Sequence, residues 1–158
     1  MLGLTSVLLH PHPDVRPLKL EEPLAGLLLI SPWINFDCET QSFKDNESHD
    51  VITRQITREL TADFVLPSER NNWSEPIRAD VSWWRGLPAQ KILNVFGSYE
   101  MLRDDDEKIG ETLKDAGLTV ESVECPLQVH IDCILDAQTG MEPGPMSIAI
   151  WRWLETVF

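Results

Sequence analysis

Residues 92–105 read Ile-Leu-Asn-Val-Phe-Gly-Ser-Tyr-Glu-Met-Leu-Arg-Asp-Asp, and the rest of the architecture can be worked out from this segment. Its first five residues are an apolar run typical of a short strand, and Gly97 begins a turn away from that strand. Asp104–Ala116 then has the pattern of a helix, with acids in its first turn. Leu118–Val123 is the next predicted strand. A strand, a helix and a second strand in this order predict a parallel βαβ unit.

A further strand is predicted upstream, at Leu24–Ile30, where the apolar residues are continuous. Unbroken hydrophobicity is typical of a strand covered on both faces, as in parallel sheets. We therefore predict the α/β class: a three-stranded, mostly parallel sheet with flanking helices. All 158 residues, 18.0 kDa, are assigned to a single domain. Residues 36–90, between the first two strands, are predicted to form a short cap-like insertion.

Three more helices are expected, over residues 2–10, over about 51–65 with Asp50 or Thr53 as its cap, and from Pro145 onward. Residues 35–50 and 125–144 are predicted to be loops. The buried faces are predicted from apolar spacing. They comprise Ile52, Ile56, Leu60 and Phe64 in the second helix, Ile109 and Leu113 in the helix that ends before Gly117, and Ile148, Trp151, Leu154 and Phe158 in the last.

Charge and composition exclude several classes of function. Thirteen Lys and Arg residues against twenty-six Asp and Glu residues give a net charge of −13, which repels nucleic acid and anionic membrane surfaces. The longest apolar runs, Leu24–Ile30 and Met1–Leu9, are too short to cross a bilayer. Three cysteines without a Cys-x-x-Cys pair favour a reducing compartment. We expect a cytoplasmic protein with no nucleic-acid or membrane partner.

Two candidate chemical groups follow the ends of neighbouring predicted strands. Glu100 lies in the turn after the strand 92–96, and His130 follows the strand 118–123. The carboxyl ends of parallel strands meet at one edge of a sheet, so these side chains are expected to approach each other. A carboxylate that orients an imidazole is the acid–base part of a nucleophilic triad.

These segments resemble the end of an α/β-hydrolase domain of the hormone-sensitive-lipase-like esterase branch, especially its fungal members. The resemblance rests on Gly97–Asp105, on Val129-His130, on Ile30-Ser-Pro-Trp33 and on the Trp-rich stretch 70–88. It implies that Glu100 is the catalytic acid and His130 the catalytic base.

The chain departs from the family pattern at the nucleophile. It contains no Gly-x-Ser-x-Gly and no His-Gly-Gly segment for an oxyanion hole. Residues 2–10 resemble the helix that follows the nucleophile, so we expect a truncated hydrolase fold. Ser31, Ser98 and Cys133 are substitute nucleophiles in principle, but each has a structural reading: a strand-end hydrogen bond, a turn and a small packed group.

Three functions follow from this pattern. His130 and Glu100 could act as an acid–base pair in proton transfer, elimination or cyclisation of a small apolar carbonyl compound. The chain could instead be a non-catalytic pseudo-hydrolase that binds a small molecule or a protein partner. The third reading is the C-terminal fragment of a serine carboxylesterase.

Candidate ligand-binding residues surround the end of the first strand. Ser31, Trp33, Trp83 and Trp84 are predicted to line an apolar substrate site. His10 and His12 have a spacing that suits a metal, but the prolines between and after them favour a surface loop, so no metal and no cofactor are predicted. The uncovered edge of the first strand could be covered by the N-terminal helix or proline arm, by a partner protein or by a second copy. The second copy is the simplest, so we predict a homodimer whose interface lies near residues 1–35.

Overall fold

A computed structural model describes residues 2–158; Met1, the first residue of the apolar run Met1–Leu9, lies outside the described residues. Three parallel strands form one sheet in the order β1-β2-β3. They span Leu27–Ile30, Ile92–Gly97 and Val120–Cys125. The predicted α/β architecture with a three-stranded parallel sheet is confirmed. A parallel bridge between Leu24 and Ala89 extends the contact between β1 and β2 toward the start of the predicted strand.

Seven α-helices are found among the described residues. They are α1 Leu2–Leu9, α2 Gln41–Asp45, α3 Arg54–Phe64, α4 Val81–Trp84, α5 Arg103–Asp115, α6 Asp132–Thr139 and α7 Pro145–Leu154. The segment between β1 and β2, which includes the predicted insertion 36–90, contains α2, α3 and α4. None of the helices in residues 2–158 has the length and apolarity needed to cross a membrane.

The sheet is covered on both faces, as the continuous apolar strands predict. All six residues of β2 are buried. One face packs against α1, α4 and α5 through Leu2, Leu27, Leu29, Trp84, Ile92, Ile109 and Leu113. The other face packs against α7 through Leu93, Val95, Cys125, Met146, Ile150 and Trp153. Burial of Ile109 and Leu113 confirms the predicted stripe of α5, and Gly117 ends the segment in the left-handed region at φ 88°.

Two predicted loops contain helices. Residues 125–144 include α6, which begins after Ile131, itself left-handed at φ 51°, and ends at the left-handed Gly140. The Asp132 carboxylate accepts a hydrogen bond from the backbone N–H of Val129, so it closes a turn at the start of α6. Residues 35–50 include α2, which is only five residues long. Turn-forming residues in both segments mark helix ends instead of continuous loops.

The predicted buried faces of α3 and α7 are wrong at most positions, although Ile52 and Leu154 are partly buried and packed against the core. In α3 the buried residues are Thr57 and Thr61, whereas Ile56, Leu60 and Phe64 are exposed. In α7 the buried residues include Met146, Ile150 and Trp153, whereas Ile148, Trp151 and Phe158 are exposed. In α7, the stripe of side chains next to the predicted one packs against the sheet. α3 turns its polar stripe inward and leaves its apolar one facing outward.

Candidate functional site

The loops that follow β2 and β3 run side by side. The backbone N–H of Ser98 donates to the carbonyl oxygen of Cys125 at 2.9 Å, and that of Tyr99 donates to Gln128 at 3.0 Å. Any Cβ at Gly97 would overlap the carbonyl oxygen of Gln128, so only glycine permits this close approach. The carboxyl ends of both strands therefore meet, as parallel topology requires.

Glu100 lies at the centre of this edge and has no exposed surface. Its Oε1 accepts hydrogen bonds from the Ser31 hydroxyl at 2.7 Å and from the backbone N–H of Gly97. Its Oε2 faces His130. Burial raises the pKa of the Glu100 carboxyl, and hydrogen bonds from His130, Ser31 and Gly97 oppose that rise. The carboxyl group is thus buried but supplied with three donors.

His130 completes the pair. Its Nδ1 lies 3.3 Å from Oε2 of Glu100, and its side chain is 17% exposed. An ionised carboxylate can only accept, so Nδ1 carries the hydrogen and Nε2 is left as the basic nitrogen. Nε2 makes no hydrogen bond within residues 2–158. The arrangement is that of a general base oriented by a carboxylate.

Within residues 2–158, none of the three substitute nucleophiles makes a hydrogen bond to the His130 ring. The Ser31 hydroxyl donates to Glu100 and accepts from the backbone N–H of Ile131 at 3.1 Å. The Ser98 hydroxyl accepts from the backbone N–H of Leu127 at 2.8 Å. Cys133 lines a separate small cavity with residues of α6 and α7, and burial raises the pKa of its thiol. Both serine hydroxyls therefore make hydrogen bonds within the structure, but Ser31 bonds the Glu100 carboxylate and the loop after β3 instead of the strand-end backbone.

A large apolar cavity of about 770 Å³ lies between α1, β1 and α3. Of the four predicted ligand-binding residues, Trp33 lines it, and Ser31, Trp83 and Trp84 do not. Trp84 is fully buried in the core, and the Trp83 ring stacks on His10 with centroids 3.7 Å apart. Both tryptophans lie on the short helix α4 and are in packing contacts away from this cavity.

Sequence reasoning missed the segment that carries α2. The Ser42 hydroxyl donates to the carbonyl oxygen of Met101 at 2.6 Å, and the Asn46 amide donates to the carbonyl oxygens of Ser98 at 3.1 Å and Glu100 at 2.8 Å. Asp50 was considered only as an alternative helix cap. Thr53 caps α3 instead, by accepting from Ile56, and Asp50 reaches the site. The regular spacing of Ser42, Asn46 and Asp50 is the only sequence signal for this contact.

The structure assigns His10 and His12 to aromatic contacts. His10 Nε2 lies 2.8 Å from the carbonyl oxygen of Trp83, and the His12 ring meets Trp73 edge-on at 5.0 Å. Within residues 2–158, no three His, Cys, Asp or Glu side chains are grouped so that they could hold a metal ion.

Comparison with known proteins identifies the family to which a chain with this strand order and this Glu100–His130 contact belongs. Residues 8–133 match the model of the alpha/beta hydrolase fold family. The chain belongs to this family. A search of curated proteins finds none that matches it.

Solved structures agree on the fold. An esterase from the bacterial hormone-sensitive lipase family is 23% identical, with a TM-score of 0.71 over 98% of this chain and 48% of that one. A thermostable esterase from Pseudomonas putida ECU1011 is 25% identical, with a TM-score of 0.63 over 68% of this chain and 34% of that one. The hormone-sensitive lipase homologue EstE7, from a metagenome library, is 22% identical, with a TM-score of 0.69 over 85% and 44%. The chain thus spans less than half the length of these esterases.

Proposed function

We propose that this chain provides the acid and the base of a carboxylic ester hydrolase active site, Glu100 and His130, and that the attacking hydroxyl comes from polypeptide outside these 158 residues. The observation that carries the proposal is the 3.3 Å contact between His130 Nδ1 and the buried Glu100 carboxylate at the carboxyl edge of a hydrolase-family sheet. The solved structures that resemble this chain are described as esterases, and their chains are about twice as long as this one or longer.

In this mechanism Nε2 of His130 takes the proton of the attacking hydroxyl as that oxygen bonds to the ester carbonyl carbon. In the imidazolium so formed, the Nδ1–H still donates its hydrogen bond to Glu100. The negative charge of Glu100 stabilises the positive charge of the ring. His130 then returns the proton to the departing alkoxide. A second cycle with water as the nucleophile releases the acid. Burial of Glu100 strengthens its interaction with the imidazolium, because little water screens it.

A second candidate is the acid–base catalyst that needs no nucleophile. It is favoured by the free Nε2 of His130 and by the commitment of the Ser31 hydroxyl to Glu100. Proton transfer, elimination or cyclisation of a small apolar carbonyl compound would use the same pair. The third possibility is a non-catalytic role, in which Glu100 and His130 contribute only to packing. An experiment must distinguish it from the two catalytic roles.

The test is to sequence the native transcript across the codon for Met1 and to assay the polypeptide that it encodes with 4-nitrophenyl acetate. We expect an upstream Gly-x-Ser-x-Gly, ester hydrolysis, and its loss in His130→Ala with an unchanged melting temperature. If the native polypeptide has 158 residues and lacks esterase activity, the proposal is wrong. His130-dependent turnover of another carbonyl compound would then support the second candidate, and a silent His130→Ala the third.

We also propose that the isolated 158-residue chain forms a homodimer through the edge of β1. The edge strand β1 consists of Leu-Leu-Leu-Ile, whereas the opposite edge strand β3 carries the exposed Glu121 and Glu124. Charged residues protect a strand edge from pairing, and apolar ones do not. Leu60 and Phe64 of α3 line the same cavity as β1, so one continuous apolar surface is available to a second copy.

From the sequence we also propose that the chain belongs to the fungal branch of the hormone-sensitive-lipase-like esterases and that it is cytoplasmic. We further propose that it binds a small apolar ligand, which the cavity beside Trp33 supports.

A further inference from the structure

We propose that Asp50 is a positioning residue for the Glu100–His130 pair, because its carboxylate joins the loop of the acid to the loop of the base. The inference rests on the proposed function, since it concerns the same pair. Asp50 lies between α2 and α3, in a part of the chain far in sequence from both loops.

The two oxygens of Asp50 bind one loop each. Oδ2 accepts from the backbone N–H of Met101 at 2.7 Å, and Met101 directly follows Glu100. Oδ1 accepts from the backbone N–H of His130 itself at 3.0 Å. One carboxylate therefore fixes the backbone beside the acid and the backbone of the base at the same time. Hydrogen bonds from backbone N–H groups to an ionised acceptor are about twice as strong as those to a neutral one.

Asp50 is itself anchored to the acid loop. Its backbone N–H donates to the carbonyl oxygen of Asn46 at 3.0 Å, and the Asn46 amide donates to the carbonyl oxygens of Ser98 and Glu100. Because Asn46 holds one end of this segment on the acid loop, the bond from His130 to Asp50 sets where the imidazole lies relative to Glu100.

Apart from the bond to Asp50, the hydrogen bonds that hold the backbone here fall on the neighbours of His130. The backbone N–H of Tyr99 donates to the carbonyl oxygen of Gln128, and the hydroxyl of Ser31, which follows β1, accepts from the backbone N–H of Ile131. Ile131 is left-handed at φ 51°, which is uncommon for a branched side chain, so the chain turns sharply just after His130. A backbone that turns here needs a partner at His130 to keep Nδ1 pointed at Glu100, and Asp50 supplies it.

The chemistry requires a carboxylate. An Asn amide has one acceptor oxygen, so Asp50→Asn can serve either Met101 or His130 and presents a donor NH₂ to the other N–H. The variant has almost the same size as the native residue. It therefore separates the loss of the second acceptor from a loss of packing.

The test uses ¹⁵N NMR of the His130 ring in the whole chain, at a pH where the ring is neutral. In the native chain we expect the Nδ1–H tautomer, held by Glu100. In Asp50→Asn we expect the ratio of Nδ1–H to Nε2–H to fall by ~5-fold, about the effect of losing one hydrogen bond. The matched control is Asp45→Asn, because Asp45 lies in the same segment but is exposed, and within residues 2–158 its side chain accepts only from Gln41.

An unchanged tautomer ratio in a folded Asp50→Asn chain overturns the proposal, even if the melting temperature falls. If that variant does not fold, amide hydrogen exchange in the native chain decides instead. Slow exchange at both Met101 and His130 supports the proposal, and fast exchange at either one overturns it. Because the readout is the ring and not catalysis, ester hydrolysis that does not depend on His130 would disprove the proposed function without affecting this result.

Discussion

At the scale of single residues, the site depends on how Glu100 is kept charged while it is buried. Loss of water destabilises the ionised carboxylate, and the donors Ser31, Gly97 and His130 compensate part of that cost. The same carboxylate faces Nδ1 of His130 and orients the ring. In the proposed mechanism it also stabilises the imidazolium.

Glu100→Gln tests that role. The amide oxygen can still accept from Ser31 and Gly97, but the amide nitrogen next to Nδ1 can only donate, so the ring is held in the wrong tautomer. We expect kcat for ester hydrolysis by the native polypeptide to fall by ~10³–10⁴, with no loss of thermal stability at neutral pH. Glu111→Gln, on the exposed face of α5, is the control. A variant with nearly native kcat would mean that Glu100 does not orient His130.

Asp106 gives a prediction about pH. It is fully buried, and neither of its carboxyl oxygens has a hydrogen-bond partner within residues 2–158. Burial raises the pKa of Asp106 well above its ordinary 3.8, and the charges of Glu100 and Asp105 add to the rise. Above that ordinary value the unfolded chain releases a proton that the folded chain keeps. Stability therefore falls as pH increases from about 4 toward the folded-state pKa.

We expect Asp106→Asn to raise the melting temperature at pH 7 by ~2 °C or more and to leave it nearly unchanged at pH 3.5. The measurement is thermal unfolding followed by circular dichroism at several pH values. Asp115→Asn, exposed on the same helix, should not alter the pH dependence. An equal shift of the melting temperature at both pH values would contradict the assignment of this buried proton.

At the scale of elements, the site is made by two loops that leave adjacent parallel strands. Their separation is set at Gly97, where the backbone of Gln128 occupies the space of a Cβ. Gly97→Ala should push the loops apart, lower the free energy of unfolding by about 1–3 kcal/mol and lengthen the contact between His130 and Glu100. Chemical denaturation checks the first effect, and the ¹⁵N shifts of the His130 ring check the second. Native stability in the alanine variant would show that the loops tolerate a Cβ.

The sequence allowed the strands, α5 and the Glu100–His130 pair to be predicted, because each depends on local signals. Continuous apolar runs mark buried strands, and the residues just after them share one edge of the sheet. The buried faces of α3 and α7 could not be predicted in the same way. Apolar spacing identifies a stripe but not what covers it, and α3 presents Ile56, Leu60 and Phe64 outward while Thr57 and Thr61 pack inside.

Asp50 lay beyond sequence reasoning for a different reason. Its partners are the backbone N–H groups of Met101 and His130, which every non-proline residue possesses, so only the spacing of its own segment hints at the contact and nothing marks the partners. The type and position of Trp83 and Trp84 predict a ligand site. Their burial beside α1 and in the core depends on tertiary packing that a single sequence does not display.

At the scale of the whole molecule, the apolar surface along β1 and α3 contrasts with a net charge of −13. Exposed apolar side chains along one groove favour association, and the strand edge beside them adds backbone donors and acceptors. The isolated chain is therefore expected to elute with the mass of two copies, against 18.0 kDa for one, in size-exclusion chromatography with light scattering. A stable monomer at micromolar concentration would contradict the homodimer.

Phe64→Glu identifies the surface. Phe64 is 67% exposed and lines the apolar cavity, so a charge there should shift the protein to the monomer, and the melting temperature should no longer depend on protein concentration. Leu27 and Leu29 are unsuitable for this purpose because both are buried in the core. The control is Phe158→Glu, at an exposed residue distant in sequence from the groove, which should remain a dimer. Dissociation by the control alone would place the interface elsewhere.

The most direct test of the central claim is to label the native protein, isolated from its source cells, with an alkyl fluorophosphonate and to locate the label by peptide mass spectrometry. We predict that the label lies on a serine outside these 158 residues, in the polypeptide that carries Glu100 and His130, and that His130→Ala slows labelling by ~10³-fold or more. A label on a serine within the 158 residues would contradict the claim that the attacking hydroxyl lies outside them. Labelling at an unchanged rate in His130→Ala would contradict the claim that His130 is the base.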